Sequence, residues 1–340
     1  MAKTYYDDDA DLRPVQDRQV AVLGYGSQGH AHALSLRDCG VDVRVGLPEG
    51  SASRGAAEAE GLRVLTPHAA CEEADLIVVL APDQVQASLY DDAIAPNLVE
   101  GDALLFGHGF NLRFGHIEAP AGVDVCLVAP QGLGSAVRRE FSEGRGVPVL
   151  LAVDRDASGR AWELALSYAK GIGGLRAGGI ATTFAEEAEA RLFGAQAVSR
   201  GGVAQLVIAG FETLTEAGYQ PEVAYFECLQ ELELVVDLMY AGGIASGRRS
   251  GSDTAEYGGY VCGPRIVDAS VKARMRDVLE DIRTGSFAQR FGADQGAGAP
   301  ELGRLRAEAA QHPIEATGRE LRRLVSPVRS RRSDHAEGSA

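Results

Sequence analysis

A doubly wound, mostly parallel α/β sheet followed by an all-helical half is the fold class that the sequence predicts, on three observations. Short β-branched runs alternate with longer segments from residue 18 to about residue 154. The first of those runs ends in a glycine-rich turn that opens a helix-like segment. Beyond about residue 183, apolar residues recur at three and four spacing with no convincing strand. The first pattern is that of parallel strands buried on both faces by crossover helices. The last is that of amphipathic helices.

In chain order, strands are expected at RQVAVLG, VDVRVG, a short RVL, DLIVVLA, ALLFGHG, DVCLVAP and VPVLLAVD. Helices are expected through FAEEAEARLFGAQAVSRGGVAQLVIAGFETLTEAGY and PEVAYFECLQELELVVDLMYAGG. Several of these are unusually apolar for surface elements, which argues for burial against one another or against a second subunit. Residues 1–183 are thus expected to form the sheet domain and 184–325 the helical domain. The stretch 326–340, rich in basic, Ser and small residues, is expected to be a disordered tail.

A length of 340 residues, 45% of them apolar and 24% charged, accommodates two globular domains with cores. The net charge of -15, from 48 acidic against 33 basic residues, disfavours nucleic acid and anionic membranes as partners and favours a small molecule. Five cysteines, Cys39, Cys71, Cys126, Cys228 and Cys262, are scattered with no CxxC pair, so neither a disulfide framework nor a structural zinc site is expected. No basic leader with an apolar core and no run of about eighteen apolar residues occurs, so a cytoplasmic location is expected.

The glycine turn is the strongest local signal. Gly24, Tyr25, Gly26, Ser27, Gln28 and Gly29 form a GxGxxG directly after a strand and before a helix, the context of a Rossmann dinucleotide site. Gly24 permits the tight turn, Gly26 lets the backbone approach a pyrophosphate, and Gly29 allows the helix to pack on the strand. After the second strand, LPEGSASRG supplies Ser51, Ser53 and Arg54, hydroxyls and a guanidinium suited to a 2′-phosphate. NADPH is therefore expected over NADH, although Glu49 lies in the same loop.

Further strings complete a pattern: YYDDDADL, GYGSQGHAHALSLRDCGVDVRVGL, FGHGFN, VRREF with GVPVLLAV, SYAKGIGG, LTEAGYQPEVAYFECLQEL and SDTAEYGGYVCGPRI. Together they resemble the ketol-acid reductoisomerases, in the short bacterial form, from about residue 4 to 325. That resemblance implies a Rossmann domain followed by a helical domain that intertwines with its dimer mate. It also implies NADPH, two magnesium ions, and an alkyl shift in a 2-hydroxy-2-acyl acid followed by reduction of the resulting ketone.

Carried over residue by residue, the resemblance also marks departures. The family's first magnesium segment, DLFGE, reads Arg191, Leu192, Phe193, Gly194, Ala195. A cation and a methyl group replace two carboxylates whose spacing puts them on one helical face. The second carboxylate pair survives as Glu227 and Glu231. Two carboxylates alone leave a hard dication under-coordinated, so no metal site is expected. The lysine of the family's APKGPG is Gln131 in APQGLG, a neutral amide without a readily transferable proton, and the glutamate of ETTF is Ala181.

Other positions match. His108, in FGHGFN at the end of a strand, corresponds to a histidine near the reacting centre and the cofactor, and Ser252 to a serine that contacts the substrate carboxylate. From the residues alone, His108 is equally readable as a structural histidine, and Glu227 with Glu231 as a solvated helix face. His30 and His32 read as helix-start packing or cofactor contacts. If the helices meet as in the family, Arg191 faces Glu227 and Glu231 and its guanidinium stands where a metal stood.

The leading expectation is an NAD(P)H-dependent reductase of a small polar ketone or imine that has lost the metal-driven migration, with His108, Gln131 and Arg191 sharing stabilisation of developing charge. A true ketol-acid reductoisomerase and a catalytically silent nucleotide-binding homodimer are the alternatives.

Overall fold

The computed structural model describes residues 2–249 and 251–324. The chain divides into two compact units, at Ala188 and Glu189 among the described residues. The expected tail, 326–340, lies outside those residues.

The first unit is built on a nine-stranded sheet of order β1-β9-β8-β7-β6-β5-β2-β3-β4. In chain order its strands are β1 (Thr4–Tyr5), β2 (Gln19–Leu23), β3 (Asp42–Gly46), β4 (Arg63–Leu65), β5 (Leu76–Val79), β6 (Ala103–Phe106), β7 (Asp124–Pro130), β8 (Val149–Arg155) and β9 (Gly179–Ala181). The strands from β4 to β7 across the sheet are parallel. Alternate residues of the central strands face opposite cores. Val20, Val22, Val78 and Leu105 enter one cluster, and Ala21, Leu23, Ile77 and Phe106 the other. Such two-sided burial is why these strands read as continuous apolar runs. The chain runs from β2 outward to β3 and β4, then returns to place β5 on the other side of β2. That reversal opens a crevice beyond the carboxyl ends of β2 and β5.

Two features correct the expected strand pattern. VPVLLAVD forms β8, but β8 runs antiparallel to β7, with Pro130 opposite Val149. The nine-residue helix Gly134–Ser142 between them packs beside Ser27–Asp38 and returns the chain to the same end of the sheet, where Gln131 N–H bonds the Pro148 carbonyl at 2.8 Å. The second feature is the edge pair β1 and β9, antiparallel to each other. The two residues of β1 and three of β9 carry too little period to be read, whereas the equally short RVL of β4 is read from its place in the alternation.

In the second unit the described residues contain helices and no strand, including Gly202–Glu216, Glu231–Gly242 and Asp253–Ile266. Its buried apolar cluster is small, centred on Val207, Phe211, Ala224 and Ile314. Large apolar side chains stand open, with Tyr257 72% and Ile244 65% exposed. No helix among the described residues is long and apolar enough to cross a membrane.

Candidate active site

The glycine turn follows β2 and opens helix α1 (Ser27–Asp38), with Gly26 at its N-cap and no side chain capping it. Gly24 adopts φ +101°, and a Cβ there would stand 2.8 Å from the Ala81 nitrogen, so the turn is pressed against the segment that leaves β5. A Cβ on Gly29 would lie 2.1 Å from the Gly24 carbonyl oxygen, so only glycine lets α1 start this close to the strand end. Around Gly26 nothing lies within 4 Å of where a Cβ would be, leaving an open backbone face at the helix N-terminus. Unsatisfied N–H groups and the positive end of the helix dipole suit that face to a pyrophosphate. The residues present fit a dinucleotide.

The remaining residues of the turn have other tasks. The Tyr25 ring is buried and its hydroxyl donates to Glu60 at 2.5 Å, while His30 Nε2 lies 3.0 Å from the other Glu60 oxygen. Burial and the Glu60 carboxylate push the Tyr25 phenol well above its ordinary range. Burial alone pushes Glu60 upward, but the hydrogen bonds from Tyr25 and His30 outweigh it and hold the carboxyl below its usual value. Tyr25 thus ties the turn to helix α2 (Arg54–Ala59), which Glu60 caps. Gln28 donates to the Gly132 carbonyl at 2.8 Å, and a Cβ on Gly134 would fall 1.8 Å from the Ser27 carbonyl oxygen. The loop after β7 therefore sits directly on the glycine turn.

Arg54 differs from expectation. Its guanidinium donates to the Leu47 carbonyl at 2.8 Å and the Leu65 carbonyl at 3.3 Å, bracing the ends of β3 and β4. Ser51 Oγ accepts from the Ser53 N–H at 3.3 Å, and both serines are half-buried. His32 belongs to the core. Its Nδ1 lies 2.8 Å from the buried Tyr168 hydroxyl, and complete burial pushes the imidazole down to about 3.

At the carboxyl end of β6, Gly107 leads into His108, whose Nδ1 lies 3.1 Å from Asp83 Oδ2. Asp83 opens helix α3 (Asp83–Leu89) just after β5. The His108 ring stacks on Phe110, and its Nε2 is buried without a hydrogen-bond partner. An unpartnered buried nitrogen at the carboxyl edge of a doubly wound sheet makes His108 a candidate ligand contact. Beyond helix α4 (Gly134–Ser142), helix α5 (Phe184–Phe193) brings Glu187, whose buried carboxylate holds the Gly109 N–H at 2.8 Å, and a Cβ on Gly109 would meet the Phe184 carbonyl at 2.6 Å. Gln131 lies exposed at the end of β7 with its amide turned back on the Ala129 carbonyl at 2.9 Å.

The sequence pattern does not single out Asp83. A lone acid after a strand is an ordinary helix-start residue. The signal that distinguishes it is its position at the end of β5, beside the turn that follows β2. A cavity of about 620 Å³ lined by Leu98, Gly101, Gly122 and Ser158 lies at the opposite end of β6 and β7 and takes no part in this site.

In the second unit, Arg191 is exposed near the end of α5, and Ala195 falls in the π-helical segment Gly194–Ser199 that follows. Glu227 falls in another π-helical segment, Phe226–Gln230, and Glu231 opens the next α-helix; both are exposed. The expected plain α-helical i,i+4 pairing is thereby corrected, since both segments carry the widened i→i+5 turns common at functional sites. Ser252 caps the helix Asp253–Ile266, its Oγ accepting from Ala255 N–H at 3.2 Å. Among the described residues no group of three or more His, Cys, Asp or Glu side chains is placed to hold a metal ion. With Arg191 and Ala195 at the first segment, the donor set does not fit a two-magnesium centre.

Residues 14–178 match the family described as "Acetohydroxy acid isomeroreductase, NADPH-binding domain", and residues 184–327 match "Ketol-acid reductoisomerase, C-terminal domain". The chain is 66% identical over 340 residues to a protein of Kineococcus radiotolerans named ketol-acid reductoisomerase (NADP(+)), covering 100% of this chain and 99% of the relative. It is 65% identical over 340 residues to the protein of the same name from Beutenbergia cavernae, with the same coverage. A solved structure of an NADH-preferring ketol-acid reductoisomerase from an uncultured archean superposes with a TM-score of 0.91 at 40% identity, covering 95% of this chain and 99% of that one.

Proposed function

The chain belongs to the ketol-acid reductoisomerase family, and on that premise we propose that it is an NADPH-dependent oxidoreductase whose substrate is a ketol acid. Identity of 66% along the whole chain to a relative named for that reaction carries the reading. It supports the complete family reaction better than the reduction alone expected from the sequence.

The dinucleotide, when bound, supplies a hydride. The residues of this chain hold and orient it: the Gly24–Gly29 turn receives the phosphates, and Ser51 and Ser53 offer hydroxyls to the adenosine ribose side. NADPH is favoured over NADH because the relatives at this identity are named for NADP(+). Arg54 contributes less than expected to that preference, since carbonyls already engage its guanidinium. His108, with an unpartnered nitrogen in the crevice, is the candidate proton-handling group, and Ser252 is the candidate carboxylate contact.

One observation favours the narrower reading, reduction without alkyl migration. Arg191, Ala195 and Gln131 supply neither the hard oxygen donors nor the proton that migration draws on in the resemblance. No step of the reaction is assigned here to a metal. A homodimer accounts for the open apolar side chains of the second unit. A cytoplasmic location accords with five free cysteine thiols.

The deciding assay follows NADPH oxidation with 2-acetolactate, and separately with the 2-keto-3-hydroxy acid that needs reduction only, each with magnesium and with chelator. Turnover of acetolactate establishes the complete reaction. Turnover of the second compound alone establishes the narrower one. NADPH binding without turnover of either contradicts the proposed function.

A further inference from the structure

We propose that Asp83 is a positioning residue for His108, and that the pair hands a proton to the oxygen of the carbonyl being reduced. The inference rests on the reading that the chain reduces a ketol acid, and it serves the complete and the narrower reaction alike.

The geometry is local to the first unit. β5 and β6 are neighbouring parallel strands, so the residues just beyond them, Asp83 and His108, emerge side by side at the carboxyl edge. The Nδ1···Oδ2 distance of 3.1 Å is a hydrogen bond in which the ring donates. An anionic acceptor at Nδ1 fixes the N–H there and leaves Nε2 as the reacting nitrogen, the arrangement by which a carboxylate orients a catalytic imidazole. Nε2 is the atom that is buried and unpartnered. Two residues before Asp83, the backbone of Ala81 abuts Gly24, so the pair adjoins the dinucleotide turn.

A buried frame holds Asp83 in place. Gln86, 3% exposed, donates to the Ala81 carbonyl at 2.7 Å, and Asn111, 2% exposed, donates to the Asp83 carbonyl at 3.0 Å and to Gln86 Oε1 at 2.9 Å. Asn111 follows His108 by three residues, so one amide braces both ends of the pair. Phe110 covers one face of the ring, and the other charged group at this loop, Glu187, is engaged by the Gly109 N–H. Gln131 cannot serve as proton donor in the manner of a lysine, which leaves His108 as the titratable side chain here with a free nitrogen in the crevice.

The step balances. When bound, the dinucleotide would supply a hydride to the carbonyl carbon; the carbonyl π pair would move to oxygen, and that oxygen would take the Nε2 proton of the doubly protonated His108, whose ring becomes neutral. The products are the alcohol and oxidised dinucleotide. His108 keeps its Nδ1–H on Asp83 throughout and regains the Nε2 proton from water.

The frame bonds to Asp83 chiefly through its backbone carbonyl, so Asp83→Ala should fold. Nitrogen-15 spectra of histidine-labelled protein, with His108 assigned by loss of its signals in His108→Gln, read the tautomer directly. We expect the neutral ring of the unaltered protein to carry its proton on Nδ1, and Asp83→Ala to shift it toward Nε2. We also expect kcat for the keto acid to fall by about 10²-fold in Asp83→Ala, with KM for NADPH within about twofold, and partial recovery in Asp83→Asn. An unchanged tautomer together with unchanged kcat in Asp83→Ala overturns the proposal. If the unaltered protein reduces no keto acid, the proposed function fails, while the tautomer spectra still decide whether Asp83 orients His108.

Discussion

The two regions that the resemblance marks, one in each unit, match it in different ways. At the nucleotide end, geometry holds two glycines of the turn, through a positive φ at Gly24 and an impossible Cβ at Gly29, while Gly26 faces open space. In the second unit, two π-helical segments carry the positions concerned, and Arg191 and Ala195 stand where the resemblance implies carboxylates. A backbone shape is fixed by many neighbours, whereas a ligand set is fixed by the few side chains that touch the ligand. A scaffold can therefore match closely where individual ligand positions do not.

The largest effect that breaks this contrast is expected at Gly29. In Gly29→Ala the new methyl collides with the Gly24 carbonyl, and overpacking strain of ~1–3 kcal/mol should weaken NADPH binding by about tenfold or more. Fluorescence titration with NADPH checks it, and affinity equal to that of the unaltered protein would show that the turn is not the phosphate site. The companion Gly26→Ala should leave thermal stability nearly unchanged and weaken binding only.

The double change Arg191→Asp with Ala195→Glu restores the carboxylates of the resemblance. It should create magnesium-dependent turnover of 2-acetolactate, or raise it, relative to the unaltered chain. If magnesium has the same effect before and after the change, the difference between the two ends lies elsewhere than in these ligands.

A smaller effect separates core from site. Unfolded His32 takes a proton below about pH 6.5, whereas in the fold it stays neutral down to about 3. The unfolded chain therefore binds one more proton between those values. Stability from this residue is full above pH 6.5 and falls by about 1.4 kcal/mol per pH unit on acidification through that window. His32→Phe should remove that share of the slope in denaturant unfolding at pH 4 to 7, and an unchanged slope would place His32 differently. The smallest effect is expected for Arg54→Ala. Loss of two hydrogen bonds to carbonyls should cost about 1–2 kcal/mol of stability and change the NADPH to NADH preference little.

Much of the nucleotide end is readable from sequence because glycine, strand and helix signals fall within a dozen consecutive residues and reinforce one another. Strand direction is not encoded in side chains, which is why β8 reads like its parallel neighbours although it runs against β7. Strands as short as β1 and β9 offer little period. Asp83 escapes notice because its meaning comes from β6, a strand 20 residues further on. The bracing task of Arg54 is not legible for a related reason: the carbonyls that engage it belong to Leu47 and Leu65, at the ends of two strands. The π-helical segments are hidden by the ordinary three and four spacing of their apolar neighbours.

The proposed reading, an NADPH-dependent oxidoreductase that acts on a ketol acid, is tested most directly by single-turnover oxidation of NADPH with 2-acetolactate and with the 2-keto-3-hydroxy acid, each in the presence of magnesium. Oxidation of NADPH by at least one of the two is the predicted result. Bound NADPH that neither compound oxidises would contradict it.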